Sequence, residues 1–118
     1  LALKSDGTVW NWGRGVMGDG QKLRNARLPV QVLGLTSITQ ISSGSVHSLA
    51  LKSDGTVWAT GGNSLGQLGD GTTSGTTTVI QVPTLSNIIA IAASMNGSLA
   101  LKSDGTVWAW GEKNQARP

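Results

Sequence analysis

Three observations on this 118-residue sequence predict an all-β fold. The decapeptide LALKSDGTVW begins at residues 1, 49 and 99, so one local structure recurs at spacings of 48 and 50 residues. The chain contains 17 glycines, which suit tight turns between short strands better than helices. In the decapeptide, apolar residues alternate along short segments, as they do in strands with one buried face.

The decapeptide itself predicts a β-hairpin. Leu1 and Leu3 share one face of a strand, because successive side chains of a strand point to opposite faces. Asp6-Gly7 follows, and this pair between two strand-like segments is a strong signal for a tight turn with positive φ. The second strand places Trp10 and Trp12 on one face, among residues that fit a pleated surface.

Two further strands recur between the hairpins. Residues 29–32 match residues 79–82, and Pro29 predicts that this strand lies at a sheet edge, where a missing N–H does least harm. Residues 37–44 match residues 87–94 and are apolar or small nearly throughout, which predicts a strand buried on both faces. Four short strands in a period of about fifty residues are typical of a β-propeller blade.

The repeats also resemble a known family. The segment GSVHSLALKSDGTVW of residues 44–58 and the segment GQLGDGT of residues 66–72 are similar to the repeat of the regulator of chromosome condensation family. The resemblance covers essentially the whole chain and implies a propeller that has seven blades when closed. The kelch propeller is the structural alternative, since its repeat has a similar length. A single Gly-Gly pair, at residues 61–62, and the absence of tyrosine argue against kelch.

Three repeats of unequal completeness divide the chain. We expect a first repeat over residues 1–48, which lacks its inner strand and has a short loop, a second over residues 49–98, and a partial third over residues 99–118. This division predicts about two and a half blades. The chain is then either an open piece of a longer seven-bladed propeller or a unit whose copies form a homo-oligomer that completes the ring.

The inventory of reactive side chains argues against an enzyme. There is no cysteine, His47 is the single histidine and Glu112 the single glutamate. We expect a structural role for His47, because no orienting acid accompanies it. The segment GRGVMG of residues 13–18 fits a dinucleotide-binding pattern, but no helix signal and no spaced acidic residue follow it. The sequence therefore predicts no catalytic residues, no cofactor and no metal site, and no apolar segment is long enough to suggest a membrane helix.

The tryptophans permit two interpretations. Trp10, Trp58 and Trp108 recur at one strand position, which predicts that they fill the space between adjacent blades. Trp12 and Trp110 are either packing residues of the same kind or exposed platforms on which a sugar ring stacks.

A basic loop is the second candidate binding element. Residues 13–28 contain four positive charges against the one negative charge of Asp19, and this difference equals the formal net charge of +3. The positive residues are Arg14, Lys22, Arg24 and Arg27. Such a loop on a rigid scaffold suits an acidic protein surface, or is solvated without a partner. A nucleic-acid partner is not expected, since no aromatic residue is interleaved within this segment.

Two functions from different classes follow. The first is a non-catalytic propeller scaffold for protein–protein interaction through loops on one face. The alternative is a carbohydrate-binding propeller that uses Trp12 or Trp110. Guanine-nucleotide exchange occurs in the family that the sequence resembles, but it would need loop insertions that this chain does not show.

Overall fold

Ten strands and no helix make up the part of the chain that the computed structural model describes, which is residues 1–15, 24–45, 47–63, 66–69, 71, 75–95 and 97–111. The all-β prediction is therefore confirmed. No segment among these residues forms a helix able to cross a membrane. The strands are β1 (Ala2–Leu3), β2 (Val9–Gly15), β3 (Arg24–Gln31), β4 (Ile38–Ser43), β5 (His47–Lys52), β6 (Val57–Gly61), β7 (Thr76–Gln81), β8 (Ile88–Ala93), β9 (Gly97–Lys102) and β10 (Val107–Gly111).

The strands form three antiparallel sheets in chain order. The first blade is β1–β2–β3, the middle blade is β4–β5–β6–β7, and the third blade is β8–β9–β10. Each blade is a meander, in which neighbours along the chain are neighbours in the sheet. β4 and β8 precede residues 49 and 99, so the sheets of the middle and third blades begin before the decapeptides that they contain.

The hairpin of the middle blade shows why the decapeptide folds as it does. Leu51 lies opposite Val57, and Leu49 lies opposite Ala59, so these four side chains share one face of the sheet. Gly55 has a φ of 84°, in the left-handed region that glycine adopts without steric cost. The turn is closed because the amide of Lys52 donates to the carbonyl of Thr56 over 2.9 Å.

The core lies between the blades rather than within any one of them. Between the middle and third blades, the buried cluster consists of Leu49, Leu51, Val57, Ala59, Leu68, Val82, Leu85, Ile88 and Ala100. Between the first and middle blades, it consists of Val9, Val32, Leu35, Ile38 and Ala50. Each sheet therefore buries an apolar face only where an adjacent sheet packs against it, as in other repeat proteins.

Two expectations about the recurring strands have different outcomes. Pro29 lies in β3, at the edge of the first blade, as predicted. β4 is not buried on both faces as predicted: Ile38 is buried, but Thr39 and Gln40 are exposed. β8 behaves in the same way, because β4 and β8 are edge strands of their sheets and have a hydrogen-bonded neighbour on one side only.

Candidate functional site

Two strands extend into both ends of the basic segment that was predicted as a loop, and residues 16–23 between them lie outside the described residues. β2 continues to Gly15 and β3 begins at Arg24, so that Arg14 pairs with Asn25 and Gly15 pairs with Arg24. Antiparallel pairing therefore places Arg14 and Arg24 on adjacent rungs of one two-stranded ribbon. Arg27 lies further along β3.

Four of the predicted binding residues belong to this ribbon by their backbone: Trp12, Arg14, Arg24 and Arg27. Their side chains lie outside the described part of the structure, and so does Lys22 as a whole. The corresponding segment of the middle blade, residues 61–78, has a single charged residue, the acidic Asp70. The first blade thus differs from the middle blade most strongly in charge, at the end of the sheet where β2 and β3 meet.

Trp110 lies between the middle and third blades. Its ring packs against the buried cluster there, and its indole N–H donates to the carbonyl of Gln67 over 2.7 Å. A Cβ atom on Gly69 would lie 2.8 Å from the Trp110 Nε1 atom, so the ring fits only because this residue is glycine. The segment GQLG of residues 66–69 therefore forms the surface against which the tryptophan of the next blade packs.

An open cleft of about 150 Å³ adjoins this packing surface. It is lined by Gly69, Val82, Pro83, Thr84, Leu85, Trp108, Ala109 and Trp110. Trp108 is 47% exposed, whereas Trp58, at the same position of the middle blade, packs against the cluster between the first and middle blades. The predicted packing role is thus confirmed for Trp58, and the cleft offers the one indole surface with substantial exposure among the described tryptophans.

A hydrogen-bond motif of three residues, joined by a cation–π contact from a lysine, accompanies every copy of the decapeptide. In the middle blade, the backbone and hydroxyl groups of Thr56 donate to Asp54 Oδ1 over 3.0 and 2.6 Å, and the indole of Trp58 donates to the Thr56 hydroxyl over 3.0 Å. The Lys52 ammonium lies 4.9 Å from the centre of the Trp58 ring, within cation–π range. The hydrogen bonds from Thr56, with a smaller contribution from Lys52, lower the pKa of Asp54 below its ordinary value of 3.8.

The turn of the decapeptide also joins each blade to the next. The carbonyl of Gly7 accepts from the amide of Ile38 over 3.2 Å, and the carbonyl of Gly55 accepts from the amide of Ile88 over 3.0 Å. A Cβ atom on Gly55 would lie 3.1 Å from the backbone of Asn87, which is tighter than ordinary contact. The glycine therefore serves both the turn and the approach of the following blade.

His47 is a structural residue, as predicted. It is 3% exposed, and its Nε2 atom lies 3.1 Å from the carbonyl of Gly97 and 3.0 Å from the hydroxyl of Ser98, both in the third blade. Because the Ser98 hydroxyl donates its proton to the Gln67 carbonyl over 2.8 Å, Nε2 carries a proton and donates. Nδ1 is buried without a partner among the described residues. Burial lowers the pKa of His47, and the hydrogen bond to Gly97 opposes this only in part.

Two polar side chains of β4 bridge to β8, where no ladder joins the strands. Gln40 Nε2 donates to the carbonyl of Ile89 over 3.2 Å, and Gln40 Oε1 accepts from the amide of Ile91 over 3.4 Å. The Ser42 hydroxyl oxygen accepts from the amide of Ala93 over 2.8 Å. Sequence reasoning missed these contacts, although Gln40 and Ser42 are polar residues in a strand that was interpreted as apolar or small, and this was a signal for them.

The described residues contain no cluster of three histidine, cysteine, aspartate or glutamate side chains that could hold a metal ion. The described geometry offers three surfaces on which a ligand could bind. They are the basic ribbon of β2 and β3, the cleft beside Trp108, and the uncovered face of the third blade.

Comparison with known families agrees with the repeated blade geometry. A profile described as the regulator of chromosome condensation (RCC1) repeat matches residues 6–51 and 54–101, and a second profile of the same description matches residues 38–67 and 88–115. The chain belongs to the RCC1 repeat family. Together with the four-stranded middle blade, this membership confirms the predicted propeller architecture, here as three of its sheets.

Similar proteins include the E3 ubiquitin-protein ligase HERC2 of Homo sapiens and of Mus musculus. Each is 37% identical over 79 residues, which cover 63% of this chain and 2% of the relative. This RCC1-repeat chain thus spans only a small part of the length of those proteins.

Solved structures of similar fold support the same architecture. Human WBSCR16 superposes with a TM-score of 0.78 at 23% identity, covering 92% of this chain and 29% of its own. Yeast RCC1 (Prp20), from a crystal structure with Kap60, has a TM-score of 0.78 at 27% identity and covers 93% and 27%. Prp20p of Saccharomyces cerevisiae has a TM-score of 0.76 at 26% identity, with coverage of 94% and 30%.

Proposed function

We propose that this chain is a non-catalytic RCC1-repeat scaffold that binds an acidic protein surface through the basic ribbon of β2 and β3. The observation that carries the proposal is the concentration of charge. Arg14, Lys22, Arg24 and Arg27 belong to one hairpin and its connection, whereas the same segment of the middle blade holds no basic residue. Opposite charge on a partner would steer the encounter and fix its orientation.

The relatives support a protein as the partner class. Yeast RCC1 was crystallised with Kap60, and Prp20p was studied for its binding to Gsp1p and histones. We transfer from them only the class of ligand, because this chain spans less than a third of those proteins.

A non-catalytic role is supported by the position of the one histidine. His47 is buried between two blades, and its Nε2 proton is held by the backbone of the third blade. A general base must reach a proton on a bound substrate, and this imidazole has no open path to one.

Affinity capture with quantitative mass spectrometry tests the ribbon. Replacing both Arg24 and Arg27 with alanine should weaken capture of the partner by roughly tenfold and flatten its dependence on ionic strength. The control is the double variant Lys4→Ala and Lys52→Ala, which removes the same charge outside the ribbon and should bind as wild type. Equal capture by wild type and the arginine variant at low ionic strength would show that the ribbon does not contribute to partner binding.

A carbohydrate-binding function is the alternative, and the cleft beside Trp108 favours it. Trp108 is 47% exposed there, and an indole face beside a cleft is a common platform for a sugar ring. Trp110 contributes less, since its N–H is bonded to Gln67. Saturable quenching of tryptophan fluorescence by an oligosaccharide, lost in Trp108→Ala, would support this function. Unchanged fluorescence across a glycan panel would leave the protein-binding function.

A further inference from the structure

A continuous chain of hydrogen bonds crosses the contact between the middle and third blades. His47 Nε2 shares its proton between the carbonyl of Gly97, over 3.1 Å, and the hydroxyl oxygen of Ser98, over 3.0 Å. The Ser98 hydroxyl donates to the carbonyl of Gln67, and the indole N–H of Trp110 donates to the same carbonyl. We call these five residues the joint network. Movement of the imidazole is therefore transmitted through Ser98 to the bond that holds Trp110.

The other ring nitrogen of His47 faces the turn between β4 and β5. A Cβ atom on Gly44 would lie 2.6 Å from Nδ1, so the backbone of this glycine lies directly against the ring. Nδ1 has no hydrogen-bond partner among the described residues. A water molecule needs at least the room of such a carbon atom, so none fits between Nδ1 and Gly44. A proton on Nδ1 can be hydrated from this side only if the turn moves away.

The same turn forms a second link to the third blade. The amide and the hydroxyl of Ser45 both donate to the carbonyl of Met95, over 3.0 and 2.6 Å. Displacing the turn to hydrate Nδ1 breaks this link, and His47 itself carries the link to Gly97. Both links at this end of the blade contact therefore require an imidazole that is protonated on Nε2 alone.

The surroundings of His47 do not favour a positive charge. The elements around it are β4 and β6 of its own blade, β8, β9 and β10 of the third blade, and the segment of residues 66–69. The described residues of these elements include no carboxylate that would pair with an imidazolium. The charged residues at the ends of these elements and of β5, or next to them in sequence, are Lys52, Lys102, Asp70 and Glu112. Both lysines lie at the ends of β5 and β9 opposite to His47 and Gly97, and the two acidic residues lie outside the described part of the chain.

We propose that His47 is a pH-sensitive switch between the middle and third blades, which holds the joint network closed when its imidazole is neutral and opens it when Nδ1 takes up a proton from solvent. No covalent bond changes, and the hairpins stay intact because their hydrogen bonds are internal to each blade. Opening exposes the ring to water, where its pKa returns toward the ordinary 6.5 from the lowered value of the closed state. The open state therefore gains protons as the pH falls through 6.5. The proposal is independent of the basic ribbon.

Hydrogen exchange of the tryptophan indoles, followed by NMR, tests the switch. Trp110 donates across the joint, whereas Trp58 donates to Thr56 within its own hairpin and serves as the internal control. Between about pH 7.5 and about pH 5.5, the exchange of Trp110, divided by the intrinsic rate at each pH, should become about tenfold faster, because one pH unit below 6.5 raises the opening equilibrium about tenfold. Trp58 should not change. An unchanged Trp110, or an equal change at Trp58, would overturn the proposal, since the latter means that the whole chain unfolds.

Two variants separate titration from simple loosening. In His47→Gln, the side-chain amide still donates to the carbonyl of Gly97 but does not titrate, so the pH dependence at Trp110 should disappear. Gln40→Ala is the matched control, because it removes a different bridge between the same blades, from Gln40 to Ile89. In this variant Trp110 should exchange faster at both pH values and keep the tenfold ratio. A tenfold ratio that persists in His47→Gln would overturn the proposal. Near-UV circular dichroism checks folding, and His47→Asn replaces the glutamine variant if that variant unfolds.

Discussion

His47 couples the protonation state of one side chain to the contact between two blades. Its imidazole is buried and its Nε2 donates to the carbonyl of Gly97, while Nδ1 has no acceptor among the described residues. A second proton on Nδ1 would place a positive charge in a buried site without a partner, which is costly. The neutral ring therefore belongs to the folded state.

The lowered pKa of His47 determines how the stability of the folded chain depends on pH. Burial lowers the pKa of His47 in the folded chain below the ordinary 6.5, so the unfolded chain binds more protons as the pH falls through 6.5. The stabilisation that the neutral His47 imidazole contributes is complete above pH 6.5 and is lost progressively as the pH falls below it. The aspartate turns do not contribute in this window, because the lowered pKa of Asp54 acts only below 3.8.

Urea unfolding at about pH 7.5 and about pH 5.5 measures the effect. The free energy of unfolding should be smaller at the lower pH, and the difference should shrink in His47→Gln, which does not titrate. A pH dependence that is identical in wild type and variant would contradict the assignment of His47.

At the scale of the element, the Asp-Gly turn both closes a hairpin and docks the following blade. Gly55 and Gly105 have φ values of 84° and 87°, so alanine at either position brings the same backbone strain. Only Gly55 also faces a neighbouring backbone, at Asn87 and Ile88. Comparing the same substitution at Gly55 and at Gly105 therefore separates the cost of strain in the turn from the cost of losing the contact between blades.

Gly55→Ala should lower the free energy of unfolding by on the order of 1–3 kcal/mol. Gly105→Ala should cost less, on the order of 1 kcal/mol, because only the strain remains. Thermal melting of the two variants provides the comparison. Equal losses would mean that the turn of the middle blade makes no contact that matters to stability.

The hairpins could be predicted from the sequence because their determinants are local. Asp54 and Gly55 specify the turn, and the alternation of residues on β5 and β6 specifies the paired face. The contacts between blades could not, since Gln40 and His47 bond backbone groups about fifty residues away and no pattern of side chains identifies those groups. The extended ribbon was also missed, because glycines around Arg14 were interpreted as a loop where the structure continues β2.

At the scale of the whole molecule, the blades depend on one another for burial. Leu49 and Leu99 occupy the same place in identical decapeptides, yet they are 1% and 40% exposed. The difference in exposure has no local cause, because β5 and β9, which contain these leucines, each lie between two hydrogen-bonded strands. We infer that a blade of this repeat is stabilised mainly by the blade that covers it.

Amide hydrogen exchange by NMR tests this dependence most directly, because the chain carries one covered and one exposed copy of the same strand. The decapeptides are identical, so the intrinsic exchange rates of Leu49 and Leu51 match those of Leu99 and Leu101. We predict that the amides of Leu49 and Leu51 exchange at least about tenfold more slowly, since opening the middle blade requires separating it from a neighbour on each side. Equal protection of the two strands would contradict the account, because each blade would then be stable without its neighbour.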